Sequence, residues 1–149
     1  MTRHSGPFSG RGLVDGRAQA PAIVLKEPLS FWGGMDVATG EVIDRHHPQA
    51  GAVLAGRILV MPAGRGSSSS SSVLAEAIRA GTAPAGIILS EVDAIVALGA
   101  LVAAELYART CPVAVLSLAD TELISSGDLV RLEIMDGGAT VIVSPATAR

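Results

Sequence analysis

The apolar run Ile58-Leu59-Val60-Met61, the turn Gly64-Arg65-Gly66 and the six serines Ser67 to Ser72 lie almost back to back. A continuous apolar run reads as a strand covered on both faces. Glycines let the chain turn sharply, and serines suit the start of a helix better than its interior. The order therefore predicts strand, turn and helix. A helix start presents backbone N–H groups and a partial positive charge, so it seats anions readily. A flexible linker has similar Gly-Ser composition, but here buried-type sequence flanks the tract on both sides. The serines are read as a site within a domain.

The downstream pattern repeats the unit. Val73, Leu74, Ala77 and Ile78 give the first helix an apolar side, and it is expected to run to Ala80 with Gly81 as its stop. Gly86 to Leu89 reads as a strand. Asp93 to Arg109 reads as a second helix, apolar through its centre and expected to pack hard against a sheet or partner. Pro112 to Leu116 is another buried strand, and Leu129 to Met135 with Ala139 to Val143 flank a hairpin turn at Asp136-Gly137-Gly138. Upstream, Gly10 to Val14 and Ala22 to Leu25 are candidate strands, separated by turn signals at Asp15-Gly16 and Pro21. The sum is a β-rich start, a βαβαβ middle and a closing hairpin. It predicts one layered α/β domain over residues 1–149, parallel in its middle and antiparallel or mixed at its ends, with the anion site beyond a strand's C-terminal end.

Composition narrows the function. Hydrophobic residues make up 49% of the chain, which argues for a folded core, and only 3% are aromatic, so Ala, Val, Leu and Ile must build it. A net charge of −3 gives no footprint for nucleic acid. Cys111 is the sole cysteine, which excludes an internal disulfide and the several thiolates of an iron–sulfur cluster; beside Pro112 it reads as a small core residue. His46 and His47 are adjacent, so on an extended chain they point apart and make no metal site by themselves. The start of the chain lacks an apolar signal core, and the stretch Ile95 to Ala104 is too short to cross a bilayer. A cytoplasmic protein is expected. Leu29 to Asp36 holds the only Trp beside Gly33-Gly34 and reads as a plug at one end of the core, with ligand or partner contact as its alternative.

Familiar nucleotide and hydrolase motifs fail on inspection. Ser69 stands where a dinucleotide fingerprint needs glycine, and neither a nucleoside-triphosphate P-loop nor the G-x-S-x-G elbow is present. What survives is a helix-start anion site using Arg65, Ser67 and Ser68.

Three segments together carry a resemblance: Leu29-Ser30-Phe31-Trp32-Gly33-Gly34-Met35-Asp36, Ile43 to Pro48, and Gly64-Arg65-Gly66 with its serines followed by Val73-Leu74-Ala75-Glu76. They resemble the small subunit of aconitase X, and the likeness continues through Gly81-Thr82-Ala83-Pro84 and Gly99 to Ala103. That resemblance implies a β/β/α swivelling domain like the aconitase C-terminal domain, paired with a large subunit as a heterodimer or higher assembly. It implies an iron–sulfur cluster held by the large subunit and not by this chain, and no membrane partner. Bacterial members are cis-3-hydroxy-L-proline dehydratases yielding Δ1-pyrroline-2-carboxylate; archaeal relatives dehydrate mevalonate 5-phosphate. By analogy with the serine base of aconitase, Ser67 is the expected proton-abstracting residue, and Arg65, Gly66 and Ser68 are expected to bind substrate. Aconitases carry an arginine just after their serines, whereas Arg65 precedes them. A non-catalytic anion-binding module and a structural docking domain are the competing readings.

Overall fold

Side chains along the central strands alternate between two separate cores, and that alternation explains the architecture. The computed structural model describes residues 6–66 and 68–146. Its strands are β1 (Phe8–Val14), β2 (Gly16–Val24), β3 (Ile58–Met61), β4 (Gly86–Leu89), β5 (Val113–Val115), β6 (Leu129–Met135) and β7 (Gly138–Ser144). They close into a barrel in the order β1-β5-β4-β3-β2-β6-β7, with β1 returning to pair β7. β2 to β5 are parallel neighbours, whereas β1, β6 and β7 pair antiparallel. The central βαβαβ unit and its antiparallel flanks are therefore as the sequence predicts.

One core fills the barrel. Ile58 and Val60 of β3, Ile88 of β4 and Ala114 of β5 point inward, where they meet Val130, Leu132 and Ile134 of β6 and Val141 and Val143 of β7. The other core lies outside the parallel wall. Leu59, Met61, Ile87, Leu89 and Val113 face outward and are covered by Leu74, Ala77 and Ile78 of α2 (Ser69–Ala80) and by Val96, Ala100 and Ala103 of α3 (Ala94–Tyr107). Parallel strands buried on both faces need continuous apolar sequence. β6 and β7 have one wet face and alternate instead. Two β walls and one helical layer give the β/β/α arrangement, with the walls joined at their edges.

Helix and turn ends follow their local chemistry. α2 stops at Gly81, in the left-handed region at φ 82°, with its N–H reaching back to the carbonyls of Ala77 and Ile78. Glu76 and Arg79 pair on its wet side; the bond and charge of each partner hold the Glu76 carboxyl below and the Arg79 guanidinium above their ordinary ranges. The β6–β7 hairpin turns on Asp136 and Gly137, both left-handed at φ 53° and 82°, the twist a two-residue turn requires.

Three expectations change. Pro21 does not separate two strands but sits inside β2, opposite Leu129 of β6. Ala22 donates toward the β6 side, to the Asp128 carbonyl. The missing Pro21 N–H therefore falls on the other side, where the β3 ladder begins only at Ala22–Ile58. The aromatic pair also divides. α1 (Phe31–Gly34) is a single turn with non-helical backbone at Trp32 and Gly33; Phe31 is 1% exposed and plugs the outer core, while Trp32 is 61% exposed. Finally, α3 buries only one side. Val96, Gly99, Ala100 and Ala103 pack inward, while Leu98, Leu101 and Leu106 remain exposed.

α4 (Leu118–Thr121) completes the helices, capped by Ser117 Oγ accepting from the Asp120 N–H. No helix among the described residues is long and apolar enough to cross a membrane.

Candidate functional site

Parallel strands place their C-terminal ends on one rim of the barrel, and the loops leaving those ends build the site. The loop after β2 carries Glu27, Leu29 and Ser30; the loop after β3 carries Gly64, Arg65 and Gly66; the loop after β4 carries Ser90 and Asp93. Backbone bonds join them. Leu29 bridges Gly64 in parallel fashion, the Arg65 N–H donates to the Leu29 carbonyl at 3.1 Å, and the Ser90 N–H donates to the Pro62 carbonyl at 3.1 Å.

Asp93 is the strongest tie. One carboxylate oxygen accepts from the N–H groups of Ile95 (3.0 Å) and Val96 (3.1 Å), capping α3, while the other accepts from Gly64 at 2.8 Å. A single side chain thus starts one helix and fixes the turn that precedes the other. Gly64 tolerates this only because it lacks a side chain: a Cβ there would lie 2.8 Å from that carboxylate oxygen. Gly66 is constrained by conformation as well. Its φ is 102°, and a Cβ would come within 2.7 Å of Ser30 Oγ.

The serines divide their work. Ser68 is the N-cap of α2, with helical backbone and no side-chain cap bond. Ser71 Oγ donates back to the Ser68 carbonyl at 2.7 Å. Ser70, 4% exposed, closes a ring of hydrogen bonds: its Oγ accepts from the Trp32 N–H (3.3 Å) and lies 3.2 Å from Ser30 Oγ, which donates to the Trp32 carbonyl at 2.9 Å. A hydroxyl has one proton; Ser30 gives its proton to Trp32, so Ser70 donates to Ser30. Ser70 joins the Phe-Trp-Gly-Gly segment to the helix start and is a structural serine. Arg65, Gly66 and Ser68 lie on this one exposed turn; Ser67 lies outside the described residues.

The Arg65 guanidinium sits 4.0 Å from a Glu27 carboxylate oxygen, with both side chains about half exposed. The hollow under the turn, lined by Gly64, Arg65, Gly66, Ser70 and Asp93 among others, measures about 30 Å³, roughly one water. A larger cleft of about 520 Å³ opens elsewhere on the rim. Its floor is apolar, and three of its hydroxyls serve the backbone: Ser126 Oγ accepts from the Val24 N–H, Ser90 Oγ donates to Pro62, and Thr121 Oγ1 donates to Leu118.

Both ring nitrogens of His47 are engaged by backbone groups. His47 is 5% exposed; its Nδ1 accepts from the Gln49 N–H at 3.0 Å, so Nε2 carries the proton and donates to the Glu27 carbonyl at 3.2 Å. Cys111 is 1% exposed, and burial pushes its thiol up to about 12. Among the described residues no cluster of three His, Cys, Asp or Glu side chains is placed to hold a metal ion.

Sequence reasoning missed Asp93, Ser30 and Glu27 as parts of this site. Asp93 had a readable signal, an aspartate directly before an apolar helical run. The other two had none, because only the closed fold brings the β2 loop to the β3 turn.

Known proteins share this fold. The aconitase X swivel domain profile matches residues 7–141. The chain is 51% identical over 114 residues to cis-3-hydroxy-L-proline dehydratase of Pseudomonas aeruginosa, covering 76% of this chain but 20% of that protein. It thus spans about a fifth of that relative's length. The phosphomevalonate dehydratase small subunit of Thermococcus gammatolerans is 36% identical over 133 residues, which cover 89% of this chain and 95% of that one. The crystal structure of Thermococcus kodakaraensis aconitase X in its holo form superposes with a TM-score of 0.79 at 34% identity, over 92% of this chain and 99% of that one. With that match over residues 7–141 and a shared fold over 92% of the chain, the chain belongs to the aconitase X swivel domain family.

Proposed function

We propose that this chain is the small subunit of an aconitase X hydro-lyase that dehydrates cis-3-hydroxy-L-proline to Δ1-pyrroline-2-carboxylate. The observation that supports the division of labour is the size of the hollow at the turn: about 30 Å³ is too small for a substrate, which favours a site completed by a second surface. The 51% identity to the Pseudomonas dehydratase favours the hydroxyproline reaction. That the chain covers 95% of a phosphomevalonate dehydratase small subunit supports a separate small chain and keeps phosphomevalonate as the second reading. A cytoplasmic heterodimer, or a higher assembly with a large subunit, belongs to the same proposal.

Residues of this chain do not fit an iron–sulfur cluster, since its one cysteine is buried with a protonated thiol. The cluster implied by aconitase X is assigned to the large subunit, and this chain contributes substrate binding and proton transfer. Ser67 is the proposed base; in sequence it lies between Gly66 and Ser68, the N-cap of α2. A serine hydroxyl is a weak acid, so its alkoxide needs support from helix-start N–H groups and a nearby guanidinium. Arg65 is the cation at this turn, either for that task or, as we prefer, for binding the substrate carboxylate with its forked donors. Ser67 takes the proton from the carbon bearing the carboxylate. The electron pair of that C–H bond becomes the new double bond as the neighbouring C–O bond breaks; the departing hydroxide takes up a proton, balancing the one Ser67 removed, to leave as water, and the resulting enamine tautomerises to Δ1-pyrroline-2-carboxylate.

The test is Ser67→Ala, expressed together with the large subunit. Turnover of cis-3-hydroxy-L-proline should fall on the order of 10²–10⁴-fold while the complex still purifies intact. Undiminished turnover removes Ser67 from the mechanism, and a wild-type chain that never captures a larger metal-bearing partner removes the assignment altogether.

A further inference from the structure

Glu27 has a head and a backbone that behave differently. Its carboxylate is half exposed and only loosely engaged with Arg65, at 4.0 Å. An exposed pair at that separation contributes little and parts easily. The backbones beneath are firmly held. Buried His47 donates to the Glu27 carbonyl, and the Arg65 N–H donates to the carbonyl of Leu29, which is 1% exposed. Two loops are thus locked side by side, presenting a carboxylate and a guanidinium with exchangeable partners at the turn where substrate is proposed to bind.

From this we infer that Glu27 and Arg65 together form a receptor for a zwitterion. Resting on the hydroxyproline reading, the inference gives Arg65 the substrate carboxylate and Glu27 the ring ammonium. An α-amino acid bears both charges on one carbon, so it needs acceptors of opposite sign close together, and this pair supplies them. The ligand replaces one loose contact by two charge-assisted hydrogen bonds. Glu27 is then a specificity-determining residue. It favours a cyclic amino acid and repels a substrate that carries a phosphate and a carboxylate, since that molecule has no cation to offer.

The experiment uses the holoenzyme assembled with its large subunit and compares wild type, Glu27→Gln and Glu27→Asp. Glu27→Gln should raise KM for cis-3-hydroxy-L-proline about tenfold and leave kcat within about twofold. Inhibition by L-proline should weaken by a similar factor, while inhibition by cyclopentanecarboxylate, which keeps the ring and carboxylate but has no ammonium, should hold or tighten. Glu27→Asp keeps the charge and should recover most of the affinity. An unchanged KM in Glu27→Gln overturns the inference and leaves the hydroxyproline reading standing. Equal weakening of L-proline and cyclopentanecarboxylate also overturns it, because a merely structural loss does not distinguish the two. A wild-type enzyme that ignores cis-3-hydroxy-L-proline ends both.

Discussion

The two long helices begin a short distance apart on the same rim, and they begin in opposite ways. α3 starts from Asp93, whose extended backbone and carboxylate satisfy the N–H groups of Ile95 and Val96 from within the chain. α2 starts from Ser68, already helical and without a side-chain cap bond. The first is a closed start. The second has no such bond from the side chain of its own N-cap, Ser68, and a helix N-terminus favours negative charge. The contrast separates a fastener from the proposed reactive end: Asp93 holds Gly64 in place, in the turn that leads to α2.

Substitutions can break this contrast, and their effects should descend in order. Asp93→Ala should cost the most, about 2–4 kcal/mol, because three N–H groups lose their acceptor at once. Urea unfolding reads it directly. Asp93→Asn should recover part of that loss, since an amide offers one accepting oxygen in place of two. Next comes Gly66→Ala, at about 1–3 kcal/mol, from its φ of 102° and the crowding against Ser30 Oγ. Turnover in the assembled enzyme should fall further than stability predicts, because the strain is delivered to the turn itself.

Ser70→Ala should follow at about 1 kcal/mol, opening the ring that joins Trp32 to α2. Trp32 is the only tryptophan, so its fluorescence reports the change without interference. Ser68→Ala should be nearly silent, within about 0.5 kcal/mol, because no cap bond is lost. A cost near that of Asp93→Ala, measured by the same urea titration, would show that the two starts are alike after all and remove the contrast.

How much of this was legible depends on how local the cause is. β3 and β4 could be read from Ile58–Met61 and Gly86–Leu89 because burial on both faces leaves no polar residue in the run. The end of α2 at Gly81 was legible because its signal is one glycine in a left-handed conformation. Pro21 misled for the opposite reason. A proline is a reliable break only where its missing N–H would have had a partner, and that depends on where β3 begins. Phe31 and Trp32 are adjacent and chemically alike, so only the non-helical backbone at Trp32 decides which one is buried. At the site, Arg65, Gly66 and Ser68 could be picked out as neighbours in sequence. Glu27 could not, because its place beside Arg65 comes from a bridge between Leu29 and Gly64, far apart along the chain.

The pairing of β1 with β7 has a further consequence. Among the described residues the sheet meets itself and leaves no long row of idle amides along a margin, so an added strand from another polypeptide has little to zip onto. Whatever binds this domain must recognise it through shape and charge at loops and helix flanks. Peptides imitating a strand should therefore make poor competitors for its assembly.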